Sequence, residues 1–448
     1  MIAMKFNRSR EQKVMESAWE KIIRSSAPVG KLNSIKLYGP RGSGKTHFVQ
    51  ELARTQRGNY YMSFEGMTRE EALQKFARLY LPEDTVVSSW ADAAKAFTEL
   101  RYHRRTLLIF EDEAEELQRE CKEAFAPYTR RKGLFRICEI THEISPKENH
   151  CVPIPFLSIA DYCENLSVYA RADVMRLHAL TGGIPAVAKE LETQRSFEEN
   201  VRQLLAFDSV FSTYLPERMR LFFRTPESYY PLLKSIAIGH NRLSEIAKDA
   251  GFPNNKCGKY LEALIDAGFV VAEHDKGSYA KYYLANSYYA AWCRYVWQQK
   301  SEQIMRPDEH LHFVLSDLDE ALALPLFQNA CRRFINIEIS SNPDRIWPES
   351  SHVTRRLLPV KMQDGSSVIL DFREHEYGGS EVYVLPQSLT MRYTKAEMQA
   401  ILRAVKGTVS LFETEITVFG LERFSDWCVH ESAKREYLHE VTMDRLRY

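Results

Sequence analysis

Short apolar runs alternate with segments of helical spacing over residues 1–160. Five runs are predicted to be strands: 34–38, 59–65, 106–110, 134–141 and 152–156. Helical spacing lies between them, at 46–54, 70–79 and 92–102. Strands that alternate with helices along a chain form parallel sheets with helices on both faces. We therefore predict an α/β domain over residues 1–160.

The pattern changes twice beyond this domain. Residues 161–225 are predicted to be wholly helical, and residues 226–300 to form three helices followed by a short hairpin. Asp364-Gly365 is a hairpin turn signal in a region where strands return. These strands are predicted at 356–362, 366–372, 381–385 and 408–419. We expect a C-terminal α+β domain over residues 308–448.

A glycine-rich segment connects the first predicted strand to the first predicted helix. It reads Gly39-Pro-Arg-Gly-Ser-Gly44-Lys45-Thr46 and fits the pattern G-x-x-x-x-G-K-[ST]. Glycines let backbone N–H groups curve around phosphate oxygens, and the helix directs its positive dipole end at the anion. We predict that this P-loop binds a nucleoside triphosphate with Mg²⁺, with Lys45 on the phosphates and Thr46 on the metal. The predicted nucleotide contacts are Gly39, Pro40, Arg41, Gly42, Ser43, Gly44, Lys45 and Thr46.

Three acidic residues, Glu111, Asp112 and Glu113, follow the third predicted strand. An acid at the end of a buried strand beside a P-loop is expected to hold Mg²⁺. We assign Asp112 to the metal and Glu113 to orienting or deprotonating the attacking water. Glu111 directly follows the apolar run, so the register with Glu111 as the metal ligand stays open. At the tip of the fourth strand, Thr141 or His142 is either a γ-phosphate sensor or a surface loop residue.

Composition narrows the class of protein. The 448 residues include 60 Lys+Arg and 60 Asp+Glu, and this balance argues against a protein that coats nucleic acid or an acidic membrane. No apolar stretch approaches the ~18 residues of a membrane span, and the first residues lack the apolar region of a secretory signal. Eight cysteines without a C-x-x-C pair favour reduced thiols. We expect a cytoplasmic protein with no membrane partner.

With these motifs, the chain resembles the archaeal-type P-loop ATPases of the STAND class, which are related to the AAA+ origin-recognition ATPases. The segment Phe6-Asn-Arg8-Ser-Arg-Glu11 is similar to a box that precedes the first strand in that family. The helix at 90–97 is typical of it, and Leu180-Thr-Gly182-Gly183-Ile-Pro185 resembles the G-x-P corner of its helical lid. The resemblance implies ATP as the nucleotide and a lid in which Gly183 and Pro185 face it.

One departure from the family concerns hydrolysis. Members often carry an arginine shortly before the exit of the fifth strand, and residues 150–157 contain none. The resemblance therefore implies slow turnover in the isolated chain, because the missing charge would have to come from a second copy or from a protein partner.

Residues 226–300 resemble the winged helix-turn-helix that follows the ATPase domain in many members. A recognition helix is expected at 255–267 and a wing at 272–283. Seven Lys/Arg and seven Asp/Glu leave residues 226–285 without net charge, which does not favour tight binding to duplex DNA. A DNA-binding module and a structural lever both stay open. The residues that would face a major groove are Asn254, Asn255, Lys256 and Lys259.

The C-terminal domain resembles the PD-(D/E)xK nucleases found at this place in relatives. Such a fold puts an Asp and an (Asp/Glu)-x-Lys on adjacent strands, where two carboxylates hold Mg²⁺ and the Lys steadies a water. Asp371 corresponds to the first acid and Glu381-Val-Tyr383 to the second motif, with Tyr383 where Lys is required. We predict a degenerate nuclease-like or α+β interaction domain without nuclease activity.

The sequence thus predicts a P-loop ATPase core (1–160), a helical lid (161–225), a winged helix (226–300) and an α+β domain (308–448). The favoured function is a slowly hydrolysing, ATP-dependent switch coupled to the winged helix. One alternative is a DNA-acting enzyme of a defence or mobile-element system with an ATP-gated nuclease. Another is an ATP-dependent DNA-binding regulator or loader. The expected partners are the nucleotide, duplex DNA through the winged helix, and a protein partner or a second copy.

Overall fold

The chain is a mixed α/β protein that divides into two compact units, Asn7–Phe156 and Leu157–Tyr448. Among the described helices, none combines the length and the apolar content needed to cross a lipid bilayer. The structure is a computed structural model, and it describes residues 8–24, 34–55, 59–64, 66–100, 106–111, 116–129, 135–141, 151–274, 279–341, 353–362, 365–375, 379–409, 414–422, 424–435 and 437–446.

The unit Asn7–Phe156 contains a five-stranded parallel sheet. Its strands are β1 (Ser34–Tyr38), β2 (Asn59–Ser63), β3 (Thr106–Glu111), β4 (Phe135–Thr141) and β5 (Cys151–Pro153). Its helices are α1 (Ser9–Arg24), α2 (Lys45–Thr55), α3 (Arg69–Tyr80), α4 (Trp90–Leu100) and α5 (Glu116–Thr129). The strand order is β2-β3-β4-β1-β5, and every neighbouring pair is parallel.

Strand β1 is hydrogen-bonded on both edges, to β4 and to β5. Successive side chains of a strand point to opposite faces, so Ile35 and Leu37 lie on one face, where both are fully buried. Phe48 and Val49 of α2 belong to the same core cluster. This packing fixes the start of α2 against the end of β1 and so positions the loop between them.

Helices α3, α4 and α5 enclose a second core built from aromatic rings. The ring of Phe76 lies 5.5 Å from Trp90, 5.8 Å from Phe97 and 5.7 Å from Phe125, measured between ring centres. Tilted and edge-to-face pairs at such distances add to the stability gained by burying the rings. The two cores hold the helices of this unit in place around the sheet.

The unit Leu157–Tyr448 begins with helices, in agreement with the helical pattern of residues 161–225. They are α6 (Ile159–Asn165), α7 (Arg171–Thr181), α8 (Pro185–Ala188), α9 (Phe197–Leu204) and α10 (Val210–Phe222). Three helices and an antiparallel hairpin follow: α11 (Tyr230–Ala237), α12 (Leu243–Asp249), α13 (Asn254–Asp266), β6 (Val270–Glu273) and β7 (Lys281–Leu284). The next helices are α14 (Ser287–Tyr295), α15 (Lys300–Met305), α16 (Pro307–Leu318) and α17 (Leu324–Ser341). A π-helical turn, Asp319–Ala323, joins α16 to α17.

A mixed five-stranded sheet forms the C-terminal part of this unit. Its strands are β8 (Val353–Lys361), β9 (Ser367–His375), β10 (Ser380–Pro386), β11 (Thr414–Gly420) and β12 (Leu438–Thr442), and its helices are α18 (Lys395–Lys406) and α19 (Asp426–Lys434). β8, β9 and β10 pair antiparallel, whereas β10, β11 and β12 pair parallel. One face of the sheet packs Leu370, Phe372 and Val382 against Met398 and Ile401 of α18.

Candidate nucleotide-binding site

The glycine-rich loop of the sequence connects β1 to α2. It begins after Tyr38, the last residue of β1, and ends at Lys45, the first residue of α2. Tyr38 pairs with Thr141 of β4 on one side and with Pro153 of β5 on the other. The chain next runs to β2 at one edge of the sheet, whereas β5 forms the opposite edge. Open parallel sheets bind ligands outside the carboxyl ends of their strands at such a switch point.

Two glycines of this loop are required for different reasons. A Cβ on Gly39 would stand 2.1 Å from the carbonyl oxygen of Ile154, so no side chain fits there. Gly44 has a φ of 90°, a backbone conformation that favours glycine. The tight turn that results brings the loop to the N-terminus of α2. Helix N-termini bind anions through their first backbone N–H groups and the helix dipole.

The donors of the loop fit a phosphate group. Nζ of Lys45 donates hydrogen bonds to the carbonyl oxygens of Gly39 at 2.6 Å and Pro40 at 3.0 Å, and the residue is 5% exposed. Ser43 is fully buried, and within the described part of the chain its Oγ has no hydrogen-bond partner. A buried hydroxyl without a partner costs on the order of 1–3 kcal/mol. An ammonium, a hydroxyl and a helix N-terminus are groups that suit the oxygens of a phosphate.

Arg8 contacts the P-loop, and the sequence predicted no role for it beyond the box it belongs to. Its Nη2 donates to the carbonyl oxygen of Ser43 at 2.7 Å, and its Nη1 to that of Pro155 at 2.9 Å. Nη1 also lies 2.9 Å from Oε1 of Glu11. One guanidinium therefore connects the P-loop to the segment that follows β5, and the ion pair with Glu11 orients it.

The predicted acidic site is only partly covered by the structure. Glu111 is the last residue of β3, and Thr141 is the last residue of β4, beside the strand that leads into the P-loop. Asp112, Glu113 and His142 lie outside the described residues. Strands β1, β3 and β4 are parallel, so their carboxyl ends lie on the same side of the sheet. The ends of β3 and β4 are therefore on the side from which the P-loop leaves β1.

The Gly-Gly-x-Pro corner lies in the unit Leu157–Tyr448 and joins α7 to α8. α7 ends where the N–H of Gly182 donates to the carbonyl oxygen of His178 at 2.8 Å, and Pro185 is the first residue of α8. A Cβ on Gly183 would stand 2.1 Å from the carbonyl oxygen of Leu157. The N–H of Leu157 in turn donates to the carbonyl oxygen of Gly183 at 2.8 Å. The corner is therefore closely packed against the segment before α6.

Asn286 connects this corner to α14, a contact that the sequence did not predict. Its Nδ2 donates to the carbonyl oxygen of Gly182 at 2.8 Å, and its Oδ1 accepts the N–H of Tyr288 at 2.8 Å. An Asn directly before a helix is a preferred N-cap residue, which was the available signal. The same amide thus caps α14 and holds the corner in place.

His178 is buried beside the corner, on α7. Burial lowers its pKa to about 4, because the charged ring would lose its hydration. Its Nε2 lies 2.9 Å from the carbonyl oxygen of Leu157, and within the described residues Nδ1 has no partner. The ring is therefore neutral at physiological pH and donates through Nε2.

The acids of the C-terminal sheet are arranged differently from a metal site. Asp371 is fully buried on β9 and stands opposite Tyr383 of β10. Both of its oxygens accept hydrogen bonds from Arg355 of β8, Oδ1 from Nε at 2.7 Å and Oδ2 from Nη2 at 2.8 Å. The guanidinium of Arg373 lies 3.8 Å from Oδ2 and 5.0 Å from the centre of the Tyr383 ring. A carboxylate engaged by a guanidinium through both oxygens does not fit the role of a Mg²⁺ ligand. The sequence did not predict Arg355 as the partner.

Comparison with known proteins gives weak likenesses only. No protein-family model matches the chain, and no curated protein matches it. One similar solved structure is a STAND protein with a tetratricopeptide repeat sensor from Pyrococcus horikoshii, with 17% identity and a TM-score of 0.31, over 75% of this chain and 50% of that chain. This chain thus spans about half the length of the Pyrococcus protein.

Two other solved structures are less similar. Drosophila ORC bound to AT-rich DNA and Cdc6 has 11% identity and a TM-score of 0.23, over 66% of this chain and 94% of that chain. A protein of Vibrio cholerae has 11% identity and a TM-score of 0.18, over 92% and 95% of the two chains. At such TM-scores and identities, none of these likenesses establishes a family or an activity for this chain.

Proposed function

We propose that this chain is a P-loop ATPase that binds ATP with Mg²⁺ and uses the bound nucleotide as a conformational switch. The observation that carries the proposal is the loop from Gly39 to Lys45. It leaves the sheet at the carboxyl end of β1, encloses a buried ammonium, and contains a hydroxyl, that of Ser43, with no partner in the described part of the chain. Such a set of donors suits a polyphosphate.

Lys45 is the proposed ligand of the β- and γ-phosphates. Its Nζ already lies inside the loop, on two backbone carbonyl oxygens. Phosphate oxygens carry negative charge, so an ammonium is attracted to them more strongly than to neutral carbonyl oxygens. A phosphate in the loop therefore attracts the ammonium away from these carbonyls. The ammonium then stabilises the charge that develops as the phosphoryl group transfers to water.

The remaining catalytic roles follow the sequence prediction. Mg²⁺, when bound with the nucleotide, neutralises charge on the phosphate oxygens. Thr46, the second residue of α2, and Asp112, which follows β3, are the proposed residues that hold it. Glu113 is the proposed group that orients the attacking water and accepts its proton. The choice of adenine over guanine rests on the resemblance. In addition, no N/T-K-x-D element, which recognises guanine, follows the acidic run.

We propose that the switch acts within the unit Leu157–Tyr448 through the corner at Gly183 and Pro185. That these two residues face the nucleotide is implied by the resemblance. Asn286 joins this corner to α14, so a movement of the corner is passed to the helices next to it. Residues 226–300, the proposed winged helix, include α14. A second copy or a protein partner is proposed to supply the arginine that residues 150–157 lack.

Equilibrium binding of ATP with Mg²⁺ to the full-length chain, measured by calorimetry, tests the proposal. We expect a Kd of about 1–100 μM for the wild type and at least about 100-fold weaker binding for Lys45→Ala, because a charge-assisted contact is lost. Lys13→Ala removes an exposed lysine of α1 in the same unit and is the matched control. Equal affinities for the wild type and Lys45→Ala would contradict the proposal.

Binding of duplex DNA is a second candidate function, favoured by one observation. Asn254, Asn255, Lys256 and Lys259 are all exposed on the N-terminal half of α13, the proposed recognition helix. Nζ of Lys256 lies 4.9 Å from the ring centre of Phe252 and 5.3 Å from that of Tyr260, so the aromatic rings hold the ammonium at this surface.

Fluorescence anisotropy with a labelled duplex at several salt concentrations tests this candidate. If α13 reads DNA, Lys256→Ala and Lys259→Ala weaken binding and reduce its salt dependence, because each removes a phosphate contact. Lys189→Ala, which removes an exposed lysine directly after α8, is the control. No binding at low salt would leave the switch without a DNA-reading role.

A further inference from the structure

A cavity of about 350 Å³ lies within the unit Leu157–Tyr448, where α10 meets the segment between α14 and α15. Two indole rings, those of Trp292 and Trp297, line it, and no function described above uses it. Phe207 is 53% exposed and also lines the cavity. Ligand pockets of proteins begin at roughly 300 Å³, so this space suits one small molecule. We call it the tryptophan cavity.

Hydrogen bonds hold the walls of the tryptophan cavity in place. Pro216 lies inside α10 and has no N–H, so the carbonyl oxygen of Ser212 lacks its helical donor. The indole Nε1 of Trp292 donates to this carbonyl oxygen at 2.8 Å. Nε2 of Gln303, a buried residue, donates to the carbonyl oxygen of Leu205 at 3.0 Å. The cavity therefore exists before any ligand enters, which lowers the entropic cost of binding.

The second indole is fixed as well. Nζ of Lys234 lies 5.3 Å from the ring centre of Trp297, and the ring of Tyr230 lies 6.2 Å from it. Trp292 packs 5.1 Å from the same Tyr230 ring, so one tyrosine supports both indoles. Rigid aromatic walls bind flat rings at low cost in side-chain entropy.

A strained backbone lies at the same place. Gln298 has a φ of 63°, and among the described residues it is the one non-glycine residue with a positive φ. It follows the end of α14, where glycine would normally adopt this conformation. The strain costs on the order of 1 kcal/mol. Gln298 lines the tryptophan cavity, so the strained backbone places the Gln298 side chain where it can contact a bound ligand.

The charged side chains that line the cavity include one more cation than anion. Arg220, Lys300 and Glu217 all line it. In the described part of the chain, none of these three side chains takes part in a hydrogen bond or an ion pair. Two cations and one anion leave a net positive charge beside the indoles. An anionic group on a ligand would find strong donors there, because charge-assisted hydrogen bonds exceed neutral ones.

We propose that the tryptophan cavity binds a small planar aromatic anion: a ring system that carries one carboxylate or one phosphate group. The ring stacks on Trp297, which is partly exposed, because Trp292 is only 4% exposed and serves as a buried wall. The anionic group is bound by Arg220 and Lys300. Glu217 and Gln298 are available to polar atoms of the ring. This site is separate from the P-loop and lies on different residues, so it does not depend on the proposed ATPase.

The test uses the full-length chain with Lys45→Ala, so that the P-loop does not contribute to the signal. Two probes, AMP and indole-3-acetate, are titrated by calorimetry up to about 10 mM, a range that detects Kd values of about 1 mM and tighter. We expect saturable binding of at least one probe. Arg220→Ala then weakens it at least about tenfold, since an exposed cation can be removed without loss of the fold. Lys248→Ala removes an exposed lysine that does not line the cavity and leaves the affinity unchanged.

The two probes separate the sources of such a ligand. Binding of AMP alone assigns the site to a nucleotide, and binding of indole-3-acetate alone assigns it to an aromatic carboxylic acid. Trp297→Ala is the second variant and should also weaken binding, while circular dichroism confirms that the chain is folded. The proposal is wrong if neither probe saturates, or if Arg220→Ala and Trp297→Ala both bind as tightly as their parent.

Discussion

Arg8 and Lys45 both bind backbone carbonyl groups of the loop from Gly39 to Lys45, but only the role of Lys45 could be predicted from the sequence. Lys45 belongs to a contiguous pattern whose spacing is fixed by the chemistry of phosphate binding. Arg8 reaches Ser43, 35 positions away, and Pro155, 147 positions away. A contact over such separations depends on how the strands are ordered in the sheet, and no local pattern reports it. The pattern thus predicts the loop, and the structure adds the side chain that holds it.

Replacing Arg8 should affect nucleotide binding more than the chemical step. Arg8→Ala removes donors from two carbonyl oxygens, each worth on the order of 1–2 kcal/mol, so the loop loses part of its fixed shape. We expect KM for ATP to rise about tenfold and kcat to change much less, measured by steady-state kinetics. Arg8→Lys should recover part of the effect. Arg10→Ala, an exposed neighbour on α1, is the control, and an unchanged KM for Arg8→Ala would contradict a positioning role.

The burial of His178 predicts a pH dependence of stability. Its pKa is about 4 in the folded chain, against the usual 6.5 in the unfolded chain. Between these values the unfolded state binds more protons, so the stabilisation is complete above about pH 6.5 and is lost as the pH falls toward about 4. The difference corresponds to on the order of 3 kcal/mol. His178→Gln keeps a donor for Leu157 and should flatten the pH dependence of the unfolding free energy in this window. Parallel curves for the two proteins would contradict the prediction.

At the scale of the elements, strand bounds are predicted well where a single apolar run marks the strand. They are predicted poorly where the local sequence favours two kinds of structure. The strand 34–38 is found at the predicted positions, and the predicted strand 106–110 extends by one residue. Of the strand predicted at 408–419, the described part is Thr414–Gly420, and residues 410–413 lie outside the described residues. Thr408 and Val409 are β-branched, yet their N–H groups donate to the carbonyl oxygen of Val405 and extend the last turn of α18. At these two residues the helical hydrogen bonds outweigh the preference of β-branched side chains for strands.

Several helices were not predicted at all. Helix α5 contains Pro127 near its end, and α17 begins with Leu324-Pro, and a proline within a segment is a signal against a continuous helix. In α17 the proline follows the π-helical turn within a helical run that is continuous over 307–341. The π-helical turn already departs from the i→i−4 hydrogen-bond pattern there, at the place where the proline lacks its N–H.

The corner at Gly183 predicts a steric effect that can be separated from backbone strain. Gly183 has a φ of 67°, and an added Cβ would stand 2.1 Å from a backbone oxygen that cannot move freely. Gly251 has a φ of 72°, and an added Cβ there would meet nothing within 4 Å. Gly251→Ala should therefore cost about 1 kcal/mol of unfolding free energy, the strain alone. Gly183→Ala should cost at least about 2 kcal/mol more. Denaturant unfolding measures both, and equal costs would show that the corner is loosely packed.

At the scale of the whole unit Leu157–Tyr448, ion pairs connect the C-terminal helices to the helices before them. Nε and Nη2 of Arg176 on α7 bind the two oxygens of Asp319 in the π-helical turn, at 2.7 and 2.6 Å. Arg294 of α14 binds Asp317 in the same manner, with Nη2 2.7 Å from Oδ1. Bidentate pairs fix orientation as well as distance. They place α16 and the π-helical turn beside α7, the helix that ends at the Gly-Gly-x-Pro corner.

A double-mutant cycle on Arg176 and Asp319 tests this connection. The pair is partly exposed, so we expect a coupling energy of only about 1 kcal/mol at low salt, decreasing as salt is added. Arg176→Ala, Asp319→Asn and the double variant are compared by denaturant unfolding. Arg306 and Glu309, 3.2 Å apart and 68% and 72% exposed, form the control pair and should show almost no coupling. Equal coupling in both pairs would mean that the bidentate geometry adds nothing.

The central claim, that the chain is a P-loop ATPase, is tested most directly by steady-state ATP turnover of the purified full-length chain with Mg²⁺. We expect a measurable but slow rate that falls at least about 100-fold in Lys45→Ala. Glu113→Gln should abolish turnover while ATP still binds, because binding and water activation are assigned to different residues. Turnover that is the same in the wild type and in Lys45→Ala would contradict the account, since the loop on β1 would then play no part in hydrolysis.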